Sequence, residues 1–262
     1  MRILLLLVCL TTTVLLNGQQ KTIWPSNKKG AVVLTYDDAL VSQLSNAIPQ
    51  LDHYRLNATF FLTGGLTIDD MNQWKIASKN GHELGNHTLY HPCSEKIYKA
   101  HPHFMLDNYD AFSVIREIAM MNKVLYGIDG NRIRTFAYPC CEFIIQNRDY
   151  TDTLRSTALV KYARIGGNEE SIITDFKTLD LLKIPAWGVT NNPSGQQLID
   201  FVKRTIEKGG LGIIMFHGIG GDYITVSNEA HQELLAYLSN HKKEIWTDTF
   251  QHVIDHVASK LQ

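Results

Sequence analysis

Asp37 and Asp38 stand side by side at the end of the apolar run Ala31-Val32-Val33-Leu34-Thr35-Tyr36, and about fifty residues later come His87 and His91, spaced H-x-x-x-H. Two imidazoles and one carboxylate make a facial ligand set that leaves positions open for water and substrate, the pattern of a catalytic rather than a closed structural metal site. Side chains at i and i+4 share one helical face, so a helix carrying both histidines would bring them to one ion. The second carboxylate is then free to act as a base. Neighbours in a regular strand face opposite sides, but at a strand's last residues the chain is already turning, so both aspartates can reach one pocket. Their roles need different environments, one ionised on the metal and one poised to take a proton. The residues themselves leave open which is which.

The elements that must position these groups alternate along the chain. Strand-like apolar runs fall at 31 to 36, 58 to 62, 83 to 86, 133 to 137, 158 to 164, 181 to 184 and 211 to 216. Helical spacing occupies 42 to 55, 68 to 80, 108 to 126 and 194 to 208, and 229 to 240 and 249 to 260 follow the last strand. Strand followed by helix, repeated this often, predicts a parallel sheet with helices outside. No internal repeat, low-complexity tract or second domain is visible. Pro92 to Asn108 is the longest irregular stretch and is expected to form a loop over the site.

Motif by motif, the chain resembles the polysaccharide deacetylase family, the carbohydrate esterases that share the NodB homology domain. Val33-Leu34-Thr35-Tyr36-Asp37-Asp38-Ala39 is similar to the family's T-F-D-D-G motif, whose first aspartate is the base and whose second binds the metal. The resemblance thus implies Asp37 as base and Asp38 as ligand. Gly85-Asn86-His87-Thr88-Leu89-Tyr90-His91-Pro92 resembles the H-[S/T]-x-x-H motif that supplies both metal-binding histidines. Gly212-Ile213-Ile214-Met215-Phe216-His217-Gly218 is similar to the apolar strand ending in L-x-H, which makes His217 the general acid. Order and separations agree from about residue 30 to about residue 255. The fold implied is α/β, a distorted (β/α)₇ barrel in a single domain, with most site residues at the C-terminal ends of strands.

One motif departs from the family. Where the family reads R-x-P-Y or R-P-P-[Y/F], this chain has Phe136-Ala137-Tyr138-Pro139-Cys140-Cys141, with alanine in the arginine position and cysteine in the aromatic one. The family arginine orients the base by a charge-assisted contact, which Ala137 cannot make. Arg134 and Arg164 are the candidate replacements, and Arg164 is preferred because it ends a strand. The resemblance implies that a main-chain N–H at Cys140 helps hold the oxyanion, since backbone chemistry survives the substitution. Tyr138 and Trp187 are expected as substrate contacts, Trp187 as an aromatic wall for a sugar ring. Asp222, five residues beyond His217, is the available carboxylate to orient that histidine.

The bulk numbers fit one secreted domain. Met1-Arg2 followed by the apolar stretch from Ile3 to Leu16 reads as a signal peptide, residues 1 to 18, ahead of a catalytic domain over 19 to 262. The apolar stretch is too short to span a membrane, so the expectation is a secreted or periplasmic protein, with lipid anchoring at Cys9 ranked lower. A formal charge of −1 and 44% hydrophobic residues exclude a basic nucleic-acid stripe and an acidic tail. Apart from Cys9 three cysteines remain, Cys93, Cys140 and Cys141, an odd number. If the histidine motif and the altered motif meet near the metal, as the resemblance implies, a bridge from Cys93 to Cys140 or Cys141 follows, with free buried thiols as an equal alternative.

The expected activity is therefore removal of acetyl groups from an acetylated poly- or oligosaccharide, N- or O-linked, with an Asp37 base and a His217 acid. The expected cofactor is a divalent ion, Zn²⁺ first, with Co²⁺ or Ni²⁺ as alternatives. Two other readings are an amidohydrolase acting on a small acyl compound or cyclic amide, and a noncatalytic carbohydrate-binding descendant of the fold.

Overall fold

Period-two alternation in the first long strand sets the geometry. Val32, Leu34 and Tyr36 pack outward among Leu51, Trp74, Leu198 and Leu235, whereas Ala31 and Val33 face inward toward Phe61, Ile213 and Phe250. The structure is a computed structural model that describes residues 22–261; the expected signal segment and Cys9 lie outside the described residues. The strands are β1 (Gly30–Asp37), β2 (Thr59–Leu62), β3 (Glu83–Asn86), β4 (Thr135–Ala137), β5 (Ile144–Ile145), β6 (Arg148–Asp149), β7 (Tyr162–Arg164), β8 (Ile172–Ile173), β9 (Trp187–Gly188), β10 (Leu211–Phe216) and β11 (Ile245–Thr247). The helices are α1 (Ile48–Tyr54), α2 (Ile68–Lys79), α3 (Ala111–Asp129), α4 (Thr151–Thr157), α5 (Gly195–Glu207), α6 (Asn228–Asn240) and α7 (Phe250–Leu261).

The main sheet runs β7-β4-β3-β2-β1-β10-β8, with β9 paired to β10 and β11 to β1. Every pairing from β7 to β10 is parallel, and the short β8 lies antiparallel on β10. The segment 184–188 completes the curl: Ile184 bridges to Arg164, while Trp187 and Gly188 pair with Ile214 and Met215. β1, β2, β3, β4, β7, this segment and β10 are the staves of the (β/α)₇ barrel. The strand expected at 181 to 184 is reduced to that one bridge, in which Ile184 exchanges hydrogen bonds with Ala163 and Ile165.

Below the barrel, α7 inserts Phe250, Val253, Ile254 and Val257 against Ala31, Val33, Leu211 and Ile213. Burying side chains of this size contributes about 1.5–3 kcal/mol each, so α7 both stabilises the barrel and closes its N-terminal end. Glu83 fastens the plug: its buried carboxylate accepts from Thr59 Oγ1 at 2.8 Å, from the Gln251 N–H at 2.8 Å and from Thr135, linking β2, β4 and α7. Outside β4 and β7, a third cluster of Ile118, Phe136, Leu154 and Ala163 seats α3 and α4. Among the described residues no helix is long and apolar enough to cross a membrane.

Candidate active site

The inward phase that fills the barrel with Ala31, Val33, Phe61, Tyr162, Ile213 and Met215 continues past the strand ends. Asp37, His87, Arg164 and His217 therefore arrive at the C-terminal mouth by alternation alone, two residues beyond an inward neighbour. Asp38 is out of phase and needs a different device. It takes a left-handed backbone, φ 79°, with its N–H donated to the Phe61 carbonyl at 3.1 Å, and this returns its carboxylate to the mouth.

His87 and His91 do not share a helix face, contrary to expectation. They occupy a loop after β3 in which Thr88 (φ 63°) and His91 (φ 52°) are left-handed, and this double reversal folds the second imidazole back over the first. The loop's backbone is held from outside. Asn86 Oδ1 accepts the Thr88 N–H at 2.8 Å, Glu117 accepts the Tyr90 N–H at 2.9 Å, and Thr88 Oγ1 accepts the His91 N–H at 3.0 Å. Gly64 donates its N–H to the Leu89 carbonyl at 2.9 Å, where a Cβ would stand 2.7 Å from that oxygen, so only glycine permits this docking.

The polar atoms converge. Asp38 Oδ1 lies 3.3 Å from His87 Nε2 and 3.2 Å from His91 Nε2, and the two Nε2 atoms are 3.1 Å apart. His87 Nδ1 lies 2.7 Å from the Ala137 carbonyl, to which it donates, leaving the Nε2 lone pair facing Asp38. Burial would raise the Asp38 carboxyl, but the hydrogen bond and charge of His87, with His91 and His217, hold it well below the usual carboxylate range. Burial opposes charge on His87 too, yet Asp37 and Asp38 push its pKa up. Burial and the neighbouring His87 press His91 down to about 4, so that ring is neutral at ordinary pH. Two carboxylates thus meet at the mouth, and among the described residues Asp38 Oδ1 faces the two imidazole nitrogens at 3.3 and 3.2 Å. Asp38, His87 and His91 offer ligand atoms within 4.8 Å of one another, a donor set that fits a divalent metal.

Arg164 is fully buried, and its Nη2 donates to Asp37 Oδ2 while Nη1 reaches the Met215 sulfur at 2.6 Å. Its guanidinium carbon lies 5.2 Å from the Phe61 ring centroid, a cation–π seat. Among the described residues Asp37 Oδ1 is buried without a hydrogen-bond partner. Arg134 is spent elsewhere: it grips Asp129 through two bonds of 2.8 and 2.6 Å behind the barrel. Cys93 and Cys140 form a disulfide, Cα–Cα 5.7 Å, which ties the histidine loop to the altered motif; among the described residues Cys141 is a free, half-buried thiol. Among the described residues the Cys140 N–H meets no acceptor, whereas that of Cys141 is taken by the Tyr138 carbonyl at 2.9 Å.

Other expected contacts are not brought together. Tyr138 points away from the mouth. Its phase is outward, its hydroxyl pairs with Thr151 at 3.1 Å, and its ring is buried among Phe136, Phe143 and Tyr150, so its side chain lies outside the mouth. Asp222 accepts the Ser42 N–H at 2.7 Å instead of reaching His217, whose buried Nδ1 has no partner among the described residues. Trp187 packs on Phe201 and lines a groove of about 740 Å³ that shares Cys141 and Met215 with the site. Two contributors had no sequence motif. Tyr223 donates to Asp38 Oδ2 at 2.9 Å from the loop after His217. Gln43 opens a π-helical turn, Gln43–Ala47, and its amide donates to the carbonyls of Asp37 (2.6 Å) and His217 (3.0 Å), clamping β1 to β10.

With this constellation established, sequence comparison decides the family: the polysaccharide deacetylase family model matches residues 25–159. The chain belongs to the polysaccharide deacetylase family. Its curated relatives include a gellan lyase from a Bacillus species, 23% identical over 251 residues covering 88% of this chain and 10% of that protein. The uncharacterized protein YlxY of Bacillus subtilis is 37% identical over 54 residues, 21% of this chain and 17% of that one. The deacetylase-family chain thus spans a small part of the length of both. Among solved structures, the peptidoglycan deacetylase PdaC from Bacillus subtilis superposes with a TM-score of 0.59 at 18% identity, covering 90% of this chain and 94% of that one. The Xyl-CE4 domain of a multidomain xylanase from the hindgut metagenome of Trinervitermes trinervoides gives 0.56 at 19% identity, 87% and 91% covered. A CE4-family pseudoenzyme from Bacillus anthracis gives 0.57 at 18% identity, 88% and 67% covered. These likenesses show a shared deacetylase fold.

Proposed function

We propose that this deacetylase-family chain is a secreted, divalent-metal-dependent hydrolase that removes acetyl groups from an acetylated poly- or oligosaccharide. The observation that carries the reading is the buried Asp37 paired with Arg164 beside three ligand atoms, from Asp38, His87 and His91, that lie within 4.8 Å of one another. A pure binder needs no such pairing. When bound there, a divalent ion, Zn²⁺ by the nitrogen-rich donor set, supplies Lewis-acid polarisation of the acyl group and acidifies water.

The chain's own residues do the rest. Arg164 holds Asp37 by one oxygen, which leaves Oδ1 to take the proton from the attacking water. The Cys140 N–H donates to the oxyanion as the acetyl carbon becomes tetrahedral. His217, whose Nε2 lies 3.8 Å from Asp38 Oδ2, gives a proton to the departing sugar oxygen or nitrogen. Acetate and a free hydroxyl or amino group result. Trp187 walls the groove that receives the neighbouring sugar. The test is acetate release by the purified mature chain, loaded with Zn²⁺ or Co²⁺, from acetylated xylan, chitooligosaccharides and peptidoglycan. Release from any one of them supports the reading. Binding of a glycan without release from any would leave a noncatalytic binder in its place.

A further inference from the structure

His91 presents its two nitrogens to two different ligand sets. Nε2 faces Asp38 and His87, while Nδ1 lies 3.5 Å from Cys93 Sγ, one half of the Cys93–Cys140 disulfide. His91, Cys93 and Cys140 each offer a ligand atom within 4.8 Å of one another. In a tetrahedral site with metal–sulfur near 2.3 Å and metal–nitrogen near 2.0–2.1 Å, the sulfur–nitrogen edge is about 3.6 Å. The Cys93–His91 separation already has that length, so the two sulfurs need only part from their bond.

We propose that reducing the Cys93–Cys140 disulfide creates a second, soft-metal site built from Cys93 Sγ, Cys140 Sγ and His91 Nδ1, and that its occupation withdraws His91 from Asp38 and His87. The reductant is a dithiol. The Cys93–Cys140 S–S bond breaks, the dithiol closes to its own disulfide, and its two protons pass to the two cysteine sulfurs. A divalent soft metal then displaces both protons as the thiolates bind it. A neutral imidazole has one lone pair. With Nδ1 on the soft metal, the ring proton sits on Nε2, which can no longer ligate the ion shared with Asp38 and His87. In the oxidised protein the disulfide sulfur faces Nδ1 as a weak acceptor, so the lone pair stays on Nε2. This inference stands apart from the acyl substrate and holds whether or not a glycan is hydrolysed.

The test compares the oxidised full chain with the same chain treated with a dithiol that is then removed under inert gas, each titrated with Co²⁺ and followed by absorption, with circular dichroism to show that both stay folded. The reduced protein is expected to gain a thiolate-to-cobalt charge-transfer band that the oxidised protein lacks. Cys93→Ser and Cys140→Ser should each remove it, Cys141→Ser should keep it, and His91→Ala should weaken Co²⁺ binding at the thiol site at least about tenfold. Absence of the band in folded, reduced wild type overturns the proposal without recourse to any variant. So does a band that survives both Cys93→Ser and Cys140→Ser, or Co²⁺ affinity unmoved by His91→Ala.

Discussion

Arg164 on β7 lies directly opposite Ala137 on β4 in parallel register, and from there its guanidinium reaches Asp37. Arg164 thus reaches Asp37 from the stave next to Ala137, one strand spacing of about 4.8 Å away. Removing it by Arg164→Met leaves a buried carboxylate uncompensated, which should lower stability by about 3–5 kcal/mol and strongly reduce acetate release. Adding Ala137→Arg to that variant should recover part of both losses, as read by thermal denaturation and turnover. No recovery would show that the two strand positions are not equivalent.

Asp37→Asn should lower acetate release by at least about a hundredfold while the metal content, measured by elemental analysis, stays at the wild-type level. Asp38→Asn should do the opposite first, reducing metal content. If the two variants exchange these signatures, base and ligand are reversed.

Tyr223→Phe removes the hydroxyl that donates to Asp38 Oδ2 and should weaken metal affinity about tenfold in a competition with a chelator. Affinity equal to wild type would place Tyr223 outside the site's support.

The disulfide closes a loop with a sequence separation of 47 residues, for which chain entropy gives about 4 kcal/mol. Cys93→Ser and Cys140→Ser should each lose up to that amount in denaturant unfolding, whereas Cys141→Ser, which breaks no bridge, should lose little. A stability unchanged by Cys93→Ser would mean that the bridge does not form.

His231 is buried between the Tyr36 hydroxyl (2.7 Å) and the Gln50 amide oxygen (2.6 Å), and burial presses it from 6.5 down to about 3. Between those values the unfolded chain holds a proton that the folded chain refuses. Stability is therefore complete above about pH 6.5 and falls with acidification, by at most ~1.4 kcal/mol per pH unit from this group. His231→Gln should flatten that slope in unfolding curves taken from pH 7 to pH 4. An identical slope in the variant would assign the acid sensitivity to other groups.

Placement at the mouth is legible in the sequence where alternation governs. Once β1 is in phase, Asp37 must face inward, and the same holds for His217 after Met215. It is not legible where tertiary contacts choose the backbone. A left-handed His91 depends on Thr88, Glu117 and Gly64 lying where they do, so H-x-x-x-H looked helical when it is a folded loop. Tyr138 turns outward because its phase sets it opposite Ala137, which the motif spacing does not show. Tyr223 and Gln43 carry no signal of spacing or type and become visible only when β1 and β10 are seen side by side.

Because α7 stoppers the floor of the barrel, everything that enters or leaves does so by one door.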